Sequence, residues 1–247
     1  MDTPSSDRLA QETETRVISY GIDDEQADYV AKDIVYHTGG TDYKVYKNGT
    51  LFAEVQLIVP GRHNVLNSLG ALVCAVEMGI KTDSILKALK EFTGAHRRFE
   101  TKGRVNGVWV VDDYAHHPTE IGVTLKAALQ TKPQRLICVF QPHRYTRTQL
   151  LFNEFCACFK GCDKLIVTDI YAASEDPIEG VSSQKLAEGI KKTSGVDVEY
   201  VPSMADIENY LASNARTGDL VMTIGAGDVY KVGEALVADL QRSNENV

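Results

Sequence analysis

One short run of the chain, Asp112-Asp113-Tyr114-Ala115-His116-His117-Pro118-Thr119-Glu120, gathers carboxylates, a phenol and two imidazoles. Side chains of these kinds exchange protons near neutral pH and bind polar ligands. The apolar Val108-Trp109-Val110-Val111 before it reads as a buried strand. Pro118 opens a helical pattern, because proline at the first helical position forfeits no hydrogen bond. Such a strand-to-helix turn lies at the carboxyl end of a strand, where α/β sheets bind ligands. The plainer alternative leaves Asp112 and Asp113 as helix caps and the histidines in solvent.

Three further runs carry chemistry. In Gly61-Arg62-His63-Asn64-Val65-Leu66-Asn67, the two asparagines are three apart in a first helical turn and share a face. Side-chain amides set a donor beside an acceptor, as the edge of a purine requires; Asn64 as a mere N-cap fits the same pattern. In His96-Arg97-Arg98-Phe99-Glu100, paired arginines can hold a phosphate oxygen through charge-assisted bonds, or can sit at a solvated strand end with local ion pairs. In Gln141-Pro142-His143-Arg144-Tyr145-Thr146-Arg147-Thr148, polar groups follow a strand and lead into a helix whose N-terminus favours anions. Arg144 and Arg147 there suit a carboxylate or a phosphate. Gly225-Ala226-Gly227-Asp228 starts like a dinucleotide loop, but Tyr230 stands in place of the third glycine, and a tight turn explains the glycines as well. Adjacent His116 and His117, with no third ligand at helical spacing, make a poor zinc site, and no metal ligand is assigned.

The elements that must position these groups follow from periodicity. A short strand is expected over 16–22 and β structure over 31–59, with Asn48-Gly49 as a hairpin turn. A helix from about His63 and a second from Thr82, taken as its N-cap, complete a first unit. After 92–95, which reads as a linker and hinge, strands and helices alternate. A strand pair turns at Asn106-Gly107, and helices are expected over 118–130, 146–160, 182–192, from Ser203, and over 229–240. Strands are expected over 135–140, 164–168, 198–201 and 220–224. Alternation of this kind predicts a mainly parallel sheet covered on both faces. Residues 1–15 suggest at most one short helix.

The chain of 247 residues, 43% hydrophobic and 24% charged, is ordinary for a soluble α/β protein. A formal charge of −8 argues against nucleic acid as a partner. Five cysteines without paired CxxC motifs read as reduced thiols. No stretch approaches the ~20 apolar residues that span a bilayer, and the polar start is unlike a signal peptide. A cytoplasmic location is expected.

Taken in order, GRHNVLNSLGAL, AHRRFE, VVDDYAHHPTEI, FQPHRYTRT and IGAGDVYK resemble the Mur ligases of bacterial cell-wall synthesis. The likeness runs from about Arg16 to Val237. GRHN and RRFE occur widely in that family; VVDDYAHHPTEI and FQPHRYTRT resemble the member that joins L-alanine to the carboxylate of UDP-N-acetylmuramate. The resemblance implies an ATP- and Mg2+-dependent, ADP-forming ligase of peptidoglycan synthesis that proceeds through an acyl phosphate. It implies a Rossmann-like C-terminal domain over 94–247, preceded over 1–93 by the β-rich and helical tail of the central ATPase domain. Matched motif by motif, His63, Asn64 and Asn67 would sit at the adenine, and Arg98 and Asp113 at the phosphates and ribose. Tyr114 and His116 would line the amino-acid pocket, while His143, Arg144 and Arg147 would hold the nucleotide sugar near its carboxylate. Arg98, His116 and Arg144 are the expected catalytic residues.

The chain departs from the family pattern in one respect. It contains no GxxxxGK[ST] phosphate loop, and the family's Mg2+ ligands would lie upstream. The chain is therefore expected to be the back half of a ligase, inactive alone. Two alternatives stay open: a recycling ligase that joins a preformed peptide to the same nucleotide sugar, and a non-enzymatic nucleotide- or partner-binding module.

Overall fold

A computed structural model of the chain describes residues 12–37 and 39–245. The possible short helix within 1–15 falls mostly outside them. Two compact units divide between Phe92 and Thr93.

The first unit is a four-stranded sheet, β1 (Tyr20–Ile22), β2 (Tyr29–His37), β3 (Gly40–Lys47) and β4 (Thr50–Leu57), in that spatial order. β2, β3 and β4 are antiparallel neighbours, and β1 runs parallel to β2. Asn48 and Gly49 have φ of 48° and 77°, the left-handed pair that a type I′ hairpin turn demands. Two helices follow, α1 (Arg62–Glu77) and α2 (Thr82–Glu91). Val65, Leu69, Leu72 and Val73 recur at helical spacing along α1 and share a core with Tyr29, Tyr43, Val45 and Val55. The hydroxyl of buried Tyr43 pairs with Ser68 Oγ at 2.8 Å, and burial pushes the phenol up to about 12. The expected N-cap at Thr82 is corrected: Thr82 is already helical, and the Lys81 carbonyl accepts the first bonds with no side-chain cap.

The second unit begins with a hairpin, β5 (Glu100–Val105) and β6 (Val108–Asp113), turning at Asn106 and Gly107 with φ of 54° and 75°. Then come α3 (Pro118–Gln130), β7 (Arg135–Phe140), α4 (Tyr145–Leu150), α5 (Phe152–Cys158) and β8 (Lys164–Val167). They are followed by α6 (Ser183–Ser194), β9 (Asp197–Tyr200), α7 (Met204–Asn214), β10 (Asp219–Ile224) and α8 (Tyr230–Glu245). The sheet order is β5-β6-β10-β7-β8-β9, and every pairing beyond β5–β6 is parallel.

Successive residues of a strand point to opposite faces, and the two faces carry separate cores. Trp109, Val111, Leu136, Cys138, Phe140, Leu165 and Met222 pack with Ile121 and Leu125 of α3, Phe155 of α5 and Leu186 of α6. Val110, Ile137, Val139, Ile166 and Val221 pack with Ile207 and Leu211 of α7 and Val232 and Leu236 of α8. The middles of these strands are apolar on both faces because helices cover both sides. The helix expected over 146–160 is corrected to two, broken at Leu151 (φ −110°, ψ 24°); beyond the break Phe155 and Phe159 lie 5.6 and 5.0 Å from the Phe140 ring. At α7 the Ser203 hydroxyl accepts from the Asp206 N–H, the cap expected there. Among the described residues no helix is long and apolar enough to cross a membrane. The parallel arrangement brings the carboxyl ends of β6, β10, β7 and β8 to one rim.

Candidate functional site

At the end of β6, Asp112 and Asp113 are buried, with 0% and 4% exposure. They do not cap α3; the His117 imidazole does, accepting from the Thr119 N–H, while Glu120 Oε2 accepts from the His116 and His117 N–H groups. Asp113 is an internal tether: its two oxygens accept the Phe99 and Ala115 N–H groups, each at 2.8 Å. Burial pushes its carboxyl above the usual carboxylate range, against those bonds and the Arg98 charge.

The adjacent arginines do unlike things. Arg97 Nε donates to Asp112 Oδ2 at 2.8 Å, and its Nη1 and Nη2 donate to the carbonyls of Gly227 and Gly225 at 3.0 and 2.7 Å. Its guanidinium lies 4.9 Å from the Tyr114 ring and 4.7 Å from the Tyr230 ring. Each of its three nitrogens donates inside the fold, so a shared phosphate grip by Arg97 and Arg98 is corrected. Arg98 is exposed, 5.8 Å from the Tyr114 ring.

The turn after β10 is wedged between neighbours. A Cβ at Gly225 (φ 150°) would come 2.8 Å from the Gln141 carbonyl, and one at Gly227 would come 2.2 Å from Gln141 Oε1 and 2.7 Å from Tyr171 Cγ. Gln141 at the end of β7 donates to Asp228 Oδ1 and accepts from the Val229 N–H. A tight turn accounts for both glycines; the loop is held by Arg97 on one side and Gln141 on the other.

Along the rim, Tyr114, His116, His143 and Tyr171 form a row of rings with centroid spacings of 5.4, 5.7 and 5.7 Å. His116 Nδ1 lies 2.9 Å from the Tyr114 carbonyl, which can only accept, so Nδ1 carries a proton and, in the neutral ring, Nε2 holds the lone pair. Arg147 Nη1 lies 3.1 Å from His143 Nδ1, and a guanidinium can only donate, so His143 carries its proton on Nε2. Burial, then the charges of Arg147, His116 and Arg144, hold His143 below its ordinary value. Arg144 sits at φ 71°, its N–H donating to the Tyr171 carbonyl at 2.9 Å. Among the described residues no carboxylate pairs with the guanidinium of Arg98, Arg144 or Arg147. The rim thus offers guanidinium groups that no carboxylate among the described residues bonds, two imidazoles and aromatic walls.

In the first unit, His63, Asn64 and Asn67 do lie on the first turn of α1. Gly61, with φ 105°, is the N-cap, so the capping alternative for Asn64 is set aside; Asn64 Nδ2 donates to the Pro60 carbonyl at 2.7 Å and keeps its own oxygen for another partner. Asn67 is exposed. Sequence reasoning passed over Tyr171 and Glu175, although a parallel topology puts the segment after β8 on the same rim as those after β6 and β7.

The depressed His143 value gives a pH dependence with a definite sign. The unfolded chain takes up a proton near pH 6.5 while folded His143 resists it, so stability falls as pH drops through that value. Urea unfolding of the chain at about pH 7.5 and about pH 5.5 is expected to show a smaller loss for His143→Gln than for the unaltered chain.

Residues 97–227 match the family model described as Mur ligase, glutamate ligase domain, and residues 1–75 match the Mur ligase middle domain. The chain is 44% identical to the UDP-N-acetylmuramate–L-alanine ligase of Syntrophus aciditrophicus over 246 residues, which is 100% of this chain and 51% of that protein. The crystal structure of UDP-N-acetylmuramate–alanine ligase from Thermotoga maritima matches with a TM-score of 0.77 at 27% identity, covering 92% of this chain and 48% of that one. A murein peptide ligase from Psychrobacter arcticus matches with a TM-score of 0.59 at 25% identity, covering 96% and 49%. The chain spans about half the length of the curated relatives it matches. With one family model over more than half its residues and a second over most of the rest, the chain belongs to the Mur ligase family.

Proposed function

We propose that the chain supplies the acceptor side of a cytoplasmic, ATP-dependent, ADP-forming ligase joining L-alanine to the carboxylate of UDP-N-acetylmuramate in peptidoglycan synthesis. One observation carries this reading: the ring row at the rim is flanked by the guanidinium groups of Arg98, Arg144 and Arg147, and among the described residues no carboxylate forms an ion pair with them. An acidic substrate can form those pairs.

Arg144 and Arg147 hold the substrate carboxylate, and His143, donating from Nε2, adds a neutral hydrogen bond. Tyr114 and His116 line the amino-acid pocket. The incoming amino group must shed a proton before it attacks, and the lone pair on His116 Nε2 can take it. Arg98 offsets phosphate charge, a kind of stabilisation that often supplies the largest catalytic share. Asp113, held by the Phe99 and Ala115 N–H groups and by Thr124, takes a ribose hydroxyl in this reading.

ATP suits the amides available: Asn64 keeps its oxygen for an exocyclic amine, and Asn67 and His63 share its turn. Bound ATP supplies the phosphoryl group that activates the carboxylate. Among the described residues no three or more His, Cys, Asp and Glu side chains are grouped to hold a metal ion.

The 247 residues carry no phosphate loop. Calorimetry of this chain with Mg-ATP is therefore expected to show binding of about 1 mM or weaker (~4 kcal/mol), and no ADP release with alanine and the nucleotide sugar. Micromolar binding, about 8 kcal/mol, contradicts the proposal and favours a nucleotide-sensing module.

A further inference from the structure

Between β8 and α6 the chain runs through residues 169–182 without regular structure, yet residues 169–175 are bonded to the rim at several points. The Tyr200 hydroxyl donates to Asp169 Oδ1 at 2.6 Å, tying the segment to the end of β9. Tyr171 extends the β7–β8 pairing beyond the strands through a parallel bridge to His143. Its N–H donates to the Pro142 carbonyl at 2.8 Å, and its carbonyl accepts the Arg144 N–H. The Tyr171 ring lies nearly parallel to that of His143, at 11°. The space between it and Gly227 is too tight for a Cβ.

The next residues turn the segment back. Ala173 and Ser174 are both left-handed, with φ of 49° and 71°. Each such residue is strained and persists only where the surroundings over-determine it. Here the turn returns Glu175 to the start of α4, where it accepts from the Thr146 N–H at 3.0 Å and the Thr146 hydroxyl at 2.6 Å. The run that carries His143, Arg144 and Arg147 is thus gripped at both ends by one segment.

We propose that residues 169–175 form the positioning element that fixes His143, Arg144 and Arg147 for an anionic carboxylate, with Tyr171 and Glu175 as its two working side chains. The identity of that carboxylate rests on the ligase reading; the positioning does not. Tyr171 fixes the plane of the His143 ring and, through its backbone, the left-handed Arg144. Glu175 fixes the first turn of α4, and so the direction from which Arg147 reaches His143. Neither side chain need touch the substrate. The charged and titratable groups that face His143 are His116, Arg144, Arg147 and Glu175.

The test has two arms. In the first, the His143 ring proton of the 247-residue chain is followed by NMR against pH for the unaltered chain, Tyr171→Ala and Tyr171→Phe. Loss of the ring uncovers His143, so the alanine variant is expected to titrate at higher pH, while phenylalanine, which keeps the stack, titrates like the unaltered chain. In the second, the same variants and Glu175→Ala are placed in a ligase completed by the amino-terminal half of the Syntrophus aciditrophicus relative. Tyr171→Ala and Glu175→Ala are each expected to raise KM for the nucleotide sugar roughly tenfold with kcat within about twofold. Tyr171→Phe and Glu175→Gln, which keeps an acceptor for Thr146, restore it. An unmoved His143 titration in Tyr171→Ala, or phenylalanine as damaging as alanine, overturns the proposal. A shifted His143 with no turnover of the nucleotide sugar by any version, the unaltered one included, overturns the ligase reading and leaves the positioning element standing.

Discussion

Arg97→Met is expected to destabilise the chain by about 3–5 kcal/mol, the usual result of leaving a buried charge without its partner. Asp112 is fully buried, and without Arg97 its only remaining side-chain partner among the described residues is the Thr223 hydroxyl at 2.7 Å. The substitution also strips the carbonyls of Gly225 and Gly227 of their guanidinium donor and loosens the turn after β10. Arg98→Met next door removes an exposed cation that bonds to no carboxylate among the described residues, and surface changes of that kind stay within about 0.5 kcal/mol. Urea unfolding of the two variants gives the comparison. Equal midpoints for both would mean that the Arg97–Asp112 pair does not hold the rim together.

The second large effect concerns catalysis. In the ligase completed by the amino-terminal half of the Syntrophus aciditrophicus relative, Arg144→Met is expected to lower kcat/KM for the nucleotide sugar by roughly 100-fold or more, about 2.7 kcal/mol. The loss should appear chiefly as a raised KM for that substrate, with KM for ATP little changed. Arginine and methionine are equally disfavoured at φ 71°, so the backbone cost cancels and the charge alone is compared. Lysine should recover only part of the loss, because a point charge cannot form the forked pair that a guanidinium makes with a carboxylate. A KM for the nucleotide sugar unchanged in Arg144→Met removes Arg144 from the substrate's carboxylate.

Much of the second unit was legible in the sequence because its signals were local. Pro118 and the apolar repeat at Ile121, Leu125 and Ala128 delimit α3, and the run from Arg135 to Phe140 is β7, both at the bounds that periodicity indicates. Two Asn-Gly pairs marked two hairpins. The break at Leu151 was not legible, since the apolar spacing continues across it into Phe155 and Phe159. Arg97 and Arg98 are indistinguishable as letters; a left-handed φ of 56° at Arg97 and the buried Asp112 across the hairpin assign them opposite roles. Asp113 read as a ligand-facing acid, whereas burial makes it first a tether for the Phe99 and Ala115 N–H groups. Residues 169–175 have no period to detect, and what they do depends on contacts with residues about 30 positions earlier in the chain.

The most direct test of the account measures phosphate release by the completed ligase with ATP, Mg2+ and UDP-N-acetylmuramate, offering free L-alanine in one reaction and a tripeptide in another. The account predicts release that depends on L-alanine and is weak with the peptide, together with silence from the 247-residue chain alone. Release that prefers the tripeptide, or that ignores both acceptors, contradicts it.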